Sequence, residues 1–451
     1  MTLRTSISPG PEWQLLSLRE AGVSLIDCDH RTPPPASDGY PYIAIPQLQN
    51  GRLDLTDVRR ITPEHFLEWT KKARPESHDV VLSRRCNPGE TALVPPALEC
   101  ALGQNLVLLR SDGSRVFPPF LRWLLRGSEW WEQIGKFINV GAVFDSLKCA
   151  DIPNFRLTIP PFHEQRRIAD ILGSLDDKID MNRRTNETLE AMARALFKSW
   201  FVDFDPVRTK IAGRQPAGMD KTTATLFPDS FQDSPLGKIP KGWQVARLNE
   251  HVEAVKGLSY KGAGLSDTGV PLHNLNSVHE GGGYKFEGVK HYIGEYRDRH
   301  IVRPGDLIVT NTEQGHDCLL IGYAAIVPRM FGDFSLFSHH IYRVRPLDRS
   351  PVTPAWMCYL LNSSAMHDTV SGYANGTTVN MLPVAGLQHP QFLLPPAEII
   401  QKFDGLAIPV LGRLERMVAE NRNLAVLRDA LLPKLLSGEF HIGDSLKNTY
   451  A

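Results

Sequence analysis

Three short stretches have residue types that could support catalysis or metal binding. Asp229 follows a proline, as a nuclease carboxylate can, and Gly262-Ala263-Gly264 has the glycine content of a phosphate-binding loop. The pair His339-His340 could offer two imidazoles to a metal. Their surroundings do not support these roles. Asp229 lies in irregular chain without a D/E-x-K partner at a plausible strand, the glycines lack a flanking strand and helix, and neighbours on a strand point to opposite faces. We predict no catalytic and no metal-ligating residue here.

The motifs that bind nucleotides or transfer groups are also missing from the sequence. It contains no G-x-x-x-x-G-K loop, no G-x-G-x-x-G and no Asn/Asp-Pro-Pro-aromatic run. An ATPase, a dinucleotide enzyme and an amino-methyltransferase are therefore not expected, and we predict no cofactor. The six cysteines form no C-x-x-C pair, which favours reduced, packed thiols over disulfides or a zinc site.

Length and charge set the outline of the protein. A chain of 451 residues is too long for one ordinary core, so two or three domains are expected. Its 50 Lys and Arg residues balance 50 Asp and Glu residues. Nucleic-acid binding would therefore depend on local basic faces. The sequence has no apolar run of membrane-spanning length and no apolar signal segment at its start, which predicts a cytoplasmic location.

The sequence contains an internal repeat. IPPFHEQRRIADIL, from Ile159, aligns without a gap with LPPAEIIQKFDGLA, from Leu394, and at the same offset Asn186 falls on Asn421. Upstream, WQLLSL matches WQVARL, HDVVLSRR matches GDLIVTNT, and WLLRGS matches YLLNSS in the same order. Each half is therefore predicted to be a module of about 150 residues followed by one long helix.

The two modules are predicted to be strand-rich, with a few short helices. Runs such as NLVLLR, DLIVTNT and HHIYRVRP favour strands and are bounded by Gly, Pro, Asn or Asp. Short helices are predicted at 63–73, 119–137 and 353–371, each beginning near a Pro or Thr. Residues 205–241 are rich in Pro, Gly, Asp, Ser and Thr and are predicted to be irregular surface chain.

Each predicted long helix carries a seam of residues at alternating spacings of three and four. The first seam comprises Ile168, Leu172, Leu175, Ile179, Asn182, Asn186, Leu189, Ala193, Leu196 and Trp200. The second comprises Phe403, Ala407, Val410, Leu414, Met417, Asn421, Leu424, Arg428, Leu431 and Leu435. Matched seams predict that the helices pack along each other, antiparallel because the chain must return from the second module to the first. The alternative is two core helices of unrelated domains.

Several features of these helices predict irregularity or a partner surface. Pro409 and Gly412 should kink the second helix or delay its start, and Arg428 replaces an apolar seam residue. Asn186 and Asn421 are equivalent, and a polar seam residue can fix the register. Apolar residues are also expected on the outer faces, where they would mark a partner surface: Ile171, Phe197, Phe201, Leu411 and Leu427.

Six segments match motifs of a known family. They are PPFHEQRRIADIL, LDDKIDMNRRTNETLEAMARALFKSWFVDFDPV, LFPDSF and LGKIPKGW in the centre, and PPAEIIQKF and LRDALLPKLLSGEF near the C-terminus. In these segments the sequence resembles the specificity subunits of type I restriction-modification systems, and the resemblance covers essentially the whole chain. The second copy departs from the family's P-P-x-x-E-Q, because Ile399 and Ile400 stand where Glu164 and Gln165 stand in the first.

The resemblance implies an α+β fold with two mixed, strand-rich target-recognition domains in pseudo-twofold repeat and two long antiparallel, coiled-coil-like helices. The implied segments are target-recognition domains at 1–160 and 242–394, long helices at 161–204 and 395–440, a linker at 205–241 and a tail at 441–451. The domains would bind the halves of a bipartite double-stranded DNA site with an unread spacer. The helices would separate the domains and dock two methyltransferase (modification) subunits.

The resemblance also implies a chain that does no chemistry alone. Restriction and translocation would belong to a further subunit that joins through the complex. The chain would nevertheless be required for adenine methylation and ATP-dependent restriction. Helix pairing or partner docking would rest on the following seam residues: Leu172, Leu175, Ile179, Asn186, Leu189, Leu196, Trp200, Leu414, Asn421, Leu424 and Leu431.

Candidate DNA-reading residues stand at equivalent places in the two modules. Arg84, Arg85 and Asn87 follow the strand HDVVLS in the first module, and the second module has Thr310, Asn311, Thr312 and Gln314 there. Different side chains at equivalent positions are what two modules need to read different half-sites. Candidate phosphate contacts are Arg59, Arg60, Lys71, Lys72 and Arg74. The alternative is ordinary polar loops and a solvated charged helix face.

Two other functions fit part of these features. A coiled-coil scaffold protein would bind only proteins and would have no DNA specificity of its own. A self-contained restriction or modification enzyme would need methyltransferase and nuclease domains, for which the modules and helices leave no room in 451 residues.

Overall fold

The computed structural model describes residues 12–141, 143–315, 317–376 and 379–439. The chain forms two compact units. The first unit comprises residues up to Ile179 together with those from Asn423 onward, and the second comprises Asp180–Arg422. Each unit therefore contains one module of the repeat and a segment of both long helices. Within the described ranges, no helix is long and apolar enough to cross a membrane.

The first module consists of short strands and short helices, followed by a long helix. Its strands are β1 (Gln14–Ser17), β2 (Val23–Asp27), β3 (Tyr40–Ile43), β4 (Leu48–Gln49), β5 (Arg52–Leu53), β6 (Arg60–Ile61), β7 (Val80–Ser83), β8 (Thr91–Leu93), β9 (Ala101–Leu102), β10 (Leu106–Ser111) and β11 (Arg156–Ile159). Its helices are α1 (Pro63–Trp69), α2 (Pro118–Leu124), α3 (Ser128–Phe137) and the long α4 (Phe162–Phe201).

The central sheet of the first unit has the order β2-β10-β7-β8 with antiparallel neighbours. Strands β7 and β10 are mostly apolar, as strands covered on both faces are expected to be. Val80 and Leu82 face a core that contains Phe120, Trp130 and Leu172. Val81, between them, faces a second core under the smaller β6-β3-β9 sheet.

The second unit contains the linker elements, the second module and most of the other long helix. Its helices are α5 (Asp205–Ile211), α6 (Lys221–Leu226), α7 (Pro354–Leu361), α8 (Ser364–Ser371) and α9 (Ala397–Leu436). Its strands are β12 (Phe231–Ser234), β13 (Gly237–Pro240), β14 (Gln244–Arg247), β15 (Val252–Lys256), β16 (Leu265–Ser266), β17 (Val270–His273), β18 (Lys290–Tyr292), β19 (Ile301–Val302), β20 (Leu307–Thr310), β21 (Thr312–Gln314), β22 (Ala324–Ile326), β23 (Ser335–Phe337), β24 (Ile341–Pro346), β25 (Val379–Met381) and β26 (Gln391–Leu394).

The sheet order of the second module repeats that of the first. Its central sheet runs β15-β24-β20-β22, and β14 pairs with β26 as β1 pairs with β11. The correspondence between the two modules also includes an equivalent Arg–Asp pair. Arg110 Nε donates to Asp79 at 2.8 Å in the first unit, and Arg345 Nε donates to Asp306 at 2.8 Å in the second. The internal repeat and the α+β class predicted from the sequence are both confirmed.

Some element boundaries differ from the prediction. Helix α1 ends at Trp69, and each of the two longer predicted short helices is divided in two, at 125–127 and at 362–363. The prediction of irregular chain over 205–241 is wrong. This segment forms α5, α6 and the β12-β13 hairpin, because the aromatic residues Phe204, Phe227 and Trp243 anchor it in the core of the second unit.

The long helices are antiparallel in each unit. Leu172, near the start of α4, shares a core with Leu435, near the end of α9. In the second unit, Trp200 at the end of α4 packs near Phe403 at the start of α9, with ring centroids 6.3 Å apart. Helix α9 begins at Ala397 and continues through Pro409 and Gly412, so the predicted delay of its start is wrong. Buried Ile399, Ile400 and Phe403 hold its first turns in the core.

Candidate nucleic-acid interface

In the first unit, two segments meet where strand β7 ends. The strand-end loop (84–90) connects β7 to β8, and the first hairpin loop (139–141 and 143–146) follows α3. Asn139 and Ser146 exchange backbone hydrogen bonds of 2.8 and 3.0 Å, which close the first hairpin loop. The Arg84 carbonyl accepts a hydrogen bond from the Leu147 N–H at 2.9 Å. The two segments therefore form one surface.

The three predicted reading residues of the first module differ in accessibility. Arg85 and Asn87 are exposed, and the Arg85 guanidinium lies 5.3 Å from the centre of the Phe144 ring. Arg84 is half-buried and donates from Nη1 to the Leu147 carbonyl at 3.3 Å. Arg85 and Asn87 can thus reach a ligand, whereas Arg84 joins the loop to the segment after the hairpin.

The second unit builds the same frame. Its strand-end loop (311–315 and 317–322) follows β20, and its hairpin loop (375, 376 and 379–381) follows α8. The Asn311 carbonyl accepts from the Leu382 N–H at 2.8 Å, as Arg84 does from Leu147. Asn375 and Met381 exchange backbone hydrogen bonds of 3.0 and 2.8 Å. The equivalence of the two loops is thus visible in their backbone bonds.

Three of the predicted reading residues in the second module do not reach the surface. Thr310, Asn311 and Thr312 are 0%, 1% and 4% exposed. Asn311 Nδ2 donates to the His339 carbonyl at 3.1 Å, and Thr312 Oγ1 lies 2.8 Å from His340 Nδ1. The prediction that these side chains are free to contact bases is wrong. The chain after β20 continues into strand β21, which pairs with β25. This pairing accompanies the burial of these polar side chains. Gln314 is exposed.

Glu313 shapes this loop and was not anticipated from the sequence. Its buried carboxylate accepts hydrogen bonds from the backbone N–H groups of Leu319, Leu320 and Ile321 at 2.8, 3.0 and 2.9 Å. A carboxylate that accepts several backbone hydrogen bonds fixes the chain around it. No local motif distinguishes Glu313 from the polar residues beside it, so only the folded loop identifies its role.

The candidate phosphate contacts lie on the surface of the first unit. Arg59 and Arg60 are exposed and donate to the carbonyls of Pro33 at 3.0 Å and Gly39 at 2.8 Å. Arg59 lines a groove of about 390 Å³ together with Asn105, whose carbonyl accepts the Arg84 N–H. Lys71 and Lys72 are exposed, and Arg74 forms an exposed ion pair with Glu99. The groove of Arg59 thus extends to Asn105, a residue hydrogen-bonded to the start of the strand-end loop.

The predicted seam residues face inward in both units. The buried ones assigned to pairing are Leu172, Ile179, Trp200 and Leu414. The half-buried ones are Leu175, Asn186, Leu189, Leu196, Asn421, Leu424 and Leu431. Asn421 does not pair with Asn186. It accepts a hydrogen bond from Asn182 Nδ2 at 2.9 Å, whereas Asn186 Nδ2 lies 3.5 Å from the Leu414 carbonyl.

Arg428 has a partner that explains its seam position. Its guanidinium donates to buried Asp176 at 2.7 Å, and Arg52 and Arg122 bind the same carboxylate. Burial alone would raise the pKa of Asp176, but Arg122, Arg52 and Arg428 together hold that pKa below its ordinary value. From the sequence alone Arg428 is only a charged residue in an apolar seam, because its partner Asp176 lies outside the seam pattern.

The outer-face prediction is partly wrong. Phe197 and Phe201 are buried in the aromatic core of the second unit, where both contact Phe403. Ile171 and Leu411 are half-buried, and Leu427 is 48% exposed. Near its C-terminal end, helix α4 is covered on two sides. The seam pattern alone therefore underestimates how much of this helix is buried.

Among the described residues, two groups contain side chains of the types that can bind metals. His339 and His340 lie in a turn with rings 3.8 Å apart, so the prediction that they point to opposite faces of a strand is wrong. In the first unit, ligand atoms of Asp27, Cys28 and His30 lie within 4.8 Å of one another. Burial, with Asp27 near by, raises the pKa of the Cys28 thiol to about 11. Within the protein, Cys28 Sγ donates to the Gly103 carbonyl at 3.2 Å, and His30 Nε2 lies 3.1 Å from Asp27 Oδ2.

Comparisons with known proteins agree with this architecture. A family model described as Type I restriction modification DNA specificity domain matches residues 35–191. The chain is 25% identical over 398 residues to the Type I restriction enzyme MjaIX specificity subunit of Methanocaldococcus jannaschii, covering 85% of this chain and 82% of that protein. It is 24% identical over 384 residues to the Type I restriction enzyme HindI specificity subunit of Haemophilus influenzae, covering 74% of this chain and 80% of that protein.

A solved structure shares the fold. The crystal structure of the type I restriction-modification system S subunit from M. genitalium matches with a TM-score of 0.53 at 14% identity, covering 96% of this chain and 98% of that one. Beyond the fold, the matched specificity domain and these two relatives make the chain similar to the specificity subunits of type I restriction-modification systems.

Proposed function

We propose that the chain reads a bipartite double-stranded DNA site, with one half-site for each module and an unread spacer between the halves. The observation that supports this proposal is the repeated frame of strand-end loop and hairpin loop. Equivalent backbone hydrogen bonds hold both frames, at Arg84 and at Asn311. The exposed side chains differ, with Arg85 and Asn87 on one frame and Gln314 on the other.

These side chains suit base recognition in the major groove. A guanidinium can donate two hydrogen bonds to guanine, and an amide can pair with adenine. We assign base reading to Arg85, Asn87 and Gln314 and phosphate contacts to Arg59 and Arg60. Phosphate contacts would set the register of the first module on the duplex, since they carry no sequence information themselves. Arg84 and Glu313 would position the loops.

The remaining segments would organise the complex. The target-recognition domains would be residues 1–160 and 242–394, and the long helices 161–204 and 395–440 would set their spacing, with the linker at 205–241. The tail at 441–451 lies outside the described residues. A repeated chain offers a partner two similar surfaces, which supports docking of two methyltransferase subunits. Restriction and translocase subunits would join through that complex, and the chain itself would be non-catalytic and cytoplasmic.

A selection experiment tests this function. The chain would be purified with its methyltransferase subunit, and bound fragments would be recovered from a pool of random duplex DNA at fixed salt. The proposal predicts enrichment of one motif with two defined halves and a spacer of constant length. A coiled-coil scaffold without DNA specificity would enrich no motif, and that result would refute the proposal.

A further inference from the structure

The first hairpin loop exposes three large apolar side chains near its tip. Val140 is 83% exposed, Val143 is 87% exposed and Phe144 is 43% exposed. Single exposed apolar residues are ordinary, but clustered ones mark a surface that contacts another molecule. The tip therefore needs an explanation that the fold of the first unit does not provide.

The tip is held in this conformation by specific bonds. Asn139 and Ser146 close the loop, and the Gly141 N–H donates to the Asp145 carboxylate at 3.3 Å. A Cβ atom at Gly141 would lie 2.4 Å from the Phe144 carbonyl oxygen, so only glycine allows this close approach. The described residues on either side of the apolar side chains are thus fixed by hydrogen bonds and by this close approach.

The apolar tip adjoins the exposed arginine proposed to read DNA. The Arg85 guanidinium lies 5.3 Å from the centre of the Phe144 ring, and Arg85 and Ser146 form a β-bridge. A cation beside an exposed ring suits an anionic, aromatic ligand, because the charge can meet phosphate or a base edge while the apolar group meets a base. This neighbourhood favours DNA over a protein partner.

The described residues of the second hairpin loop include a similar close approach. A Cβ atom at Gly376 would lie 2.1 Å from the Val379 carbonyl oxygen, as one at Gly141 would approach Phe144. Val379 is 43% exposed and Met381 is 41% exposed. Gln314 lies directly opposite Val379 in the β21-β25 pair. In both units an exposed apolar side chain therefore stands next to an exposed polar residue on the strand-end loop.

We infer that the two hairpin loops are base-contacting elements, in which Val143 and Phe144 of one unit and Val379 and Met381 of the other make apolar contacts with bases of the duplex. Thymine methyl groups and partly unstacked base steps are the apolar features that DNA offers to such side chains. This inference rests on the proposed function, and it adds a second, apolar component to the reading of each half-site.

The test uses the complete complex with the methyltransferase subunit. Two variants of the first hairpin loop, Val143→Ser alone and Val143→Ser with Phe144→Ser, are compared with Leu15→Ser, which changes an apolar side chain that is 53% exposed on β1. Affinity for the selected site and for scrambled DNA is measured at several salt concentrations, beside assembly by size-exclusion chromatography.

The double variant should lose about tenfold or more of its affinity for the selected site, which is the scale of one good base contact. Its affinity for scrambled DNA, its assembly and the slope of log affinity against log salt should stay unchanged, because no charge is removed. Val143→Ser should show a smaller loss with the same pattern, and Leu15→Ser should bind normally.

Other outcomes overturn the inference. Unchanged affinity for the selected site would show that the tip does not contact bases. Loss of assembly with DNA affinity retained by the remaining complex would identify a protein contact. Failure of the unchanged complex to select any site would refute the proposed function itself, and this result is distinguishable because it precedes all substitutions.

Discussion

The Asp176 carboxylate accepts a hydrogen bond from the Arg428 guanidinium at 2.7 Å, between the two long helices within the first unit. At the equivalent positions of the repeat stand Leu411 and Ala193, which cannot form an ion pair. The repeated helices therefore differ at one buried pair of positions. Since a buried ionic contact requires a specific partner, it distinguishes one helix segment from its copy.

Asp176→Asn should strongly destabilise the first unit. It leaves the guanidiniums of Arg52, Arg122 and Arg428 buried around a neutral side chain, and breaking a buried ion pair costs about 3–5 kcal/mol. The free energy of unfolding from denaturant titration measures this loss. Asp177→Asn is the matched control, because Asp177 is exposed and should change stability by less than about 0.5 kcal/mol. Equal effects of the two substitutions would contradict the account.

The pH dependence of the Asp176 contribution follows from the lowered pKa of its carboxyl group. The stabilisation should be fully present above the ordinary aspartate pKa of about 3.9 and should be lost as the pH falls through the lower folded-state value. The difference in unfolding free energy between the natural chain and Asp176→Asn should therefore be constant from pH 5 to 8.

Asp404→Asn should have the opposite effect on the second unit. Asp404 on α9 is 7% exposed, and burial raises the pKa of its carboxyl group although Thr353 opposes this shift. When the pKa of a carboxyl group is raised in the folded state, the free energy of unfolding decreases as the pH rises from about 3.9 through that raised value. The substitution should therefore raise the melting temperature at pH 8 and have little effect near pH 4. A lower melting temperature at pH 8 would show that the ionised carboxylate is stabilising.

Some features of the fold and of the candidate interface could be predicted from the sequence, and others could not. The repeat follows from aligned segments, the strand-rich modules from local apolar patterns, and the antiparallel helices from the path of the chain between the modules. Arg84 and Asn311 are equivalent as predicted. Burial of Thr310, Asn311 and Thr312 could not be read in this way, because it depends on the pairing of β21 with β25. The clustering of Arg52, Arg122 and Arg428 on Asp176 likewise joins residues distant in sequence.

Glu313→Gln should loosen the strand-end loop of the second unit. The amide keeps one acceptor oxygen, whereas the carboxylate accepts three backbone hydrogen bonds. Hydrogen exchange at Leu319, Leu320 and Ile321 should accelerate by about tenfold or more, which corresponds to a loss of about 1.4 kcal/mol. The amides of the central strand β24 serve as the internal control. Unchanged exchange at the three loop amides would contradict the positioning role of Glu313.

Leu189→Asp should disrupt the pairing of the long helices in the second unit. Leu189 lies in the inward-facing seam and is half-buried, so a carboxylate there would be placed among apolar groups without a partner. We expect a loss of about 2 kcal/mol or more in unfolding free energy and reduced assembly with the methyltransferase subunit. Met192→Asp places the same charge on the exposed face of the same helix, at a residue that is 63% exposed, and should leave stability unchanged.

Mapping methylated adenines by long-read sequencing tests the central claim most directly. Cells would express the methyltransferase subunit with the natural chain, with Arg85→Ala or with Gln314→Ala, both of which remove an exposed side chain from a strand-end loop. The account predicts one bipartite motif with a fixed spacer, in which Arg85→Ala relaxes one half and Gln314→Ala relaxes the other, each losing about 1–3 kcal/mol of base discrimination. A continuous motif, or the same half relaxed by both substitutions, would contradict the reading of one half-site by each module.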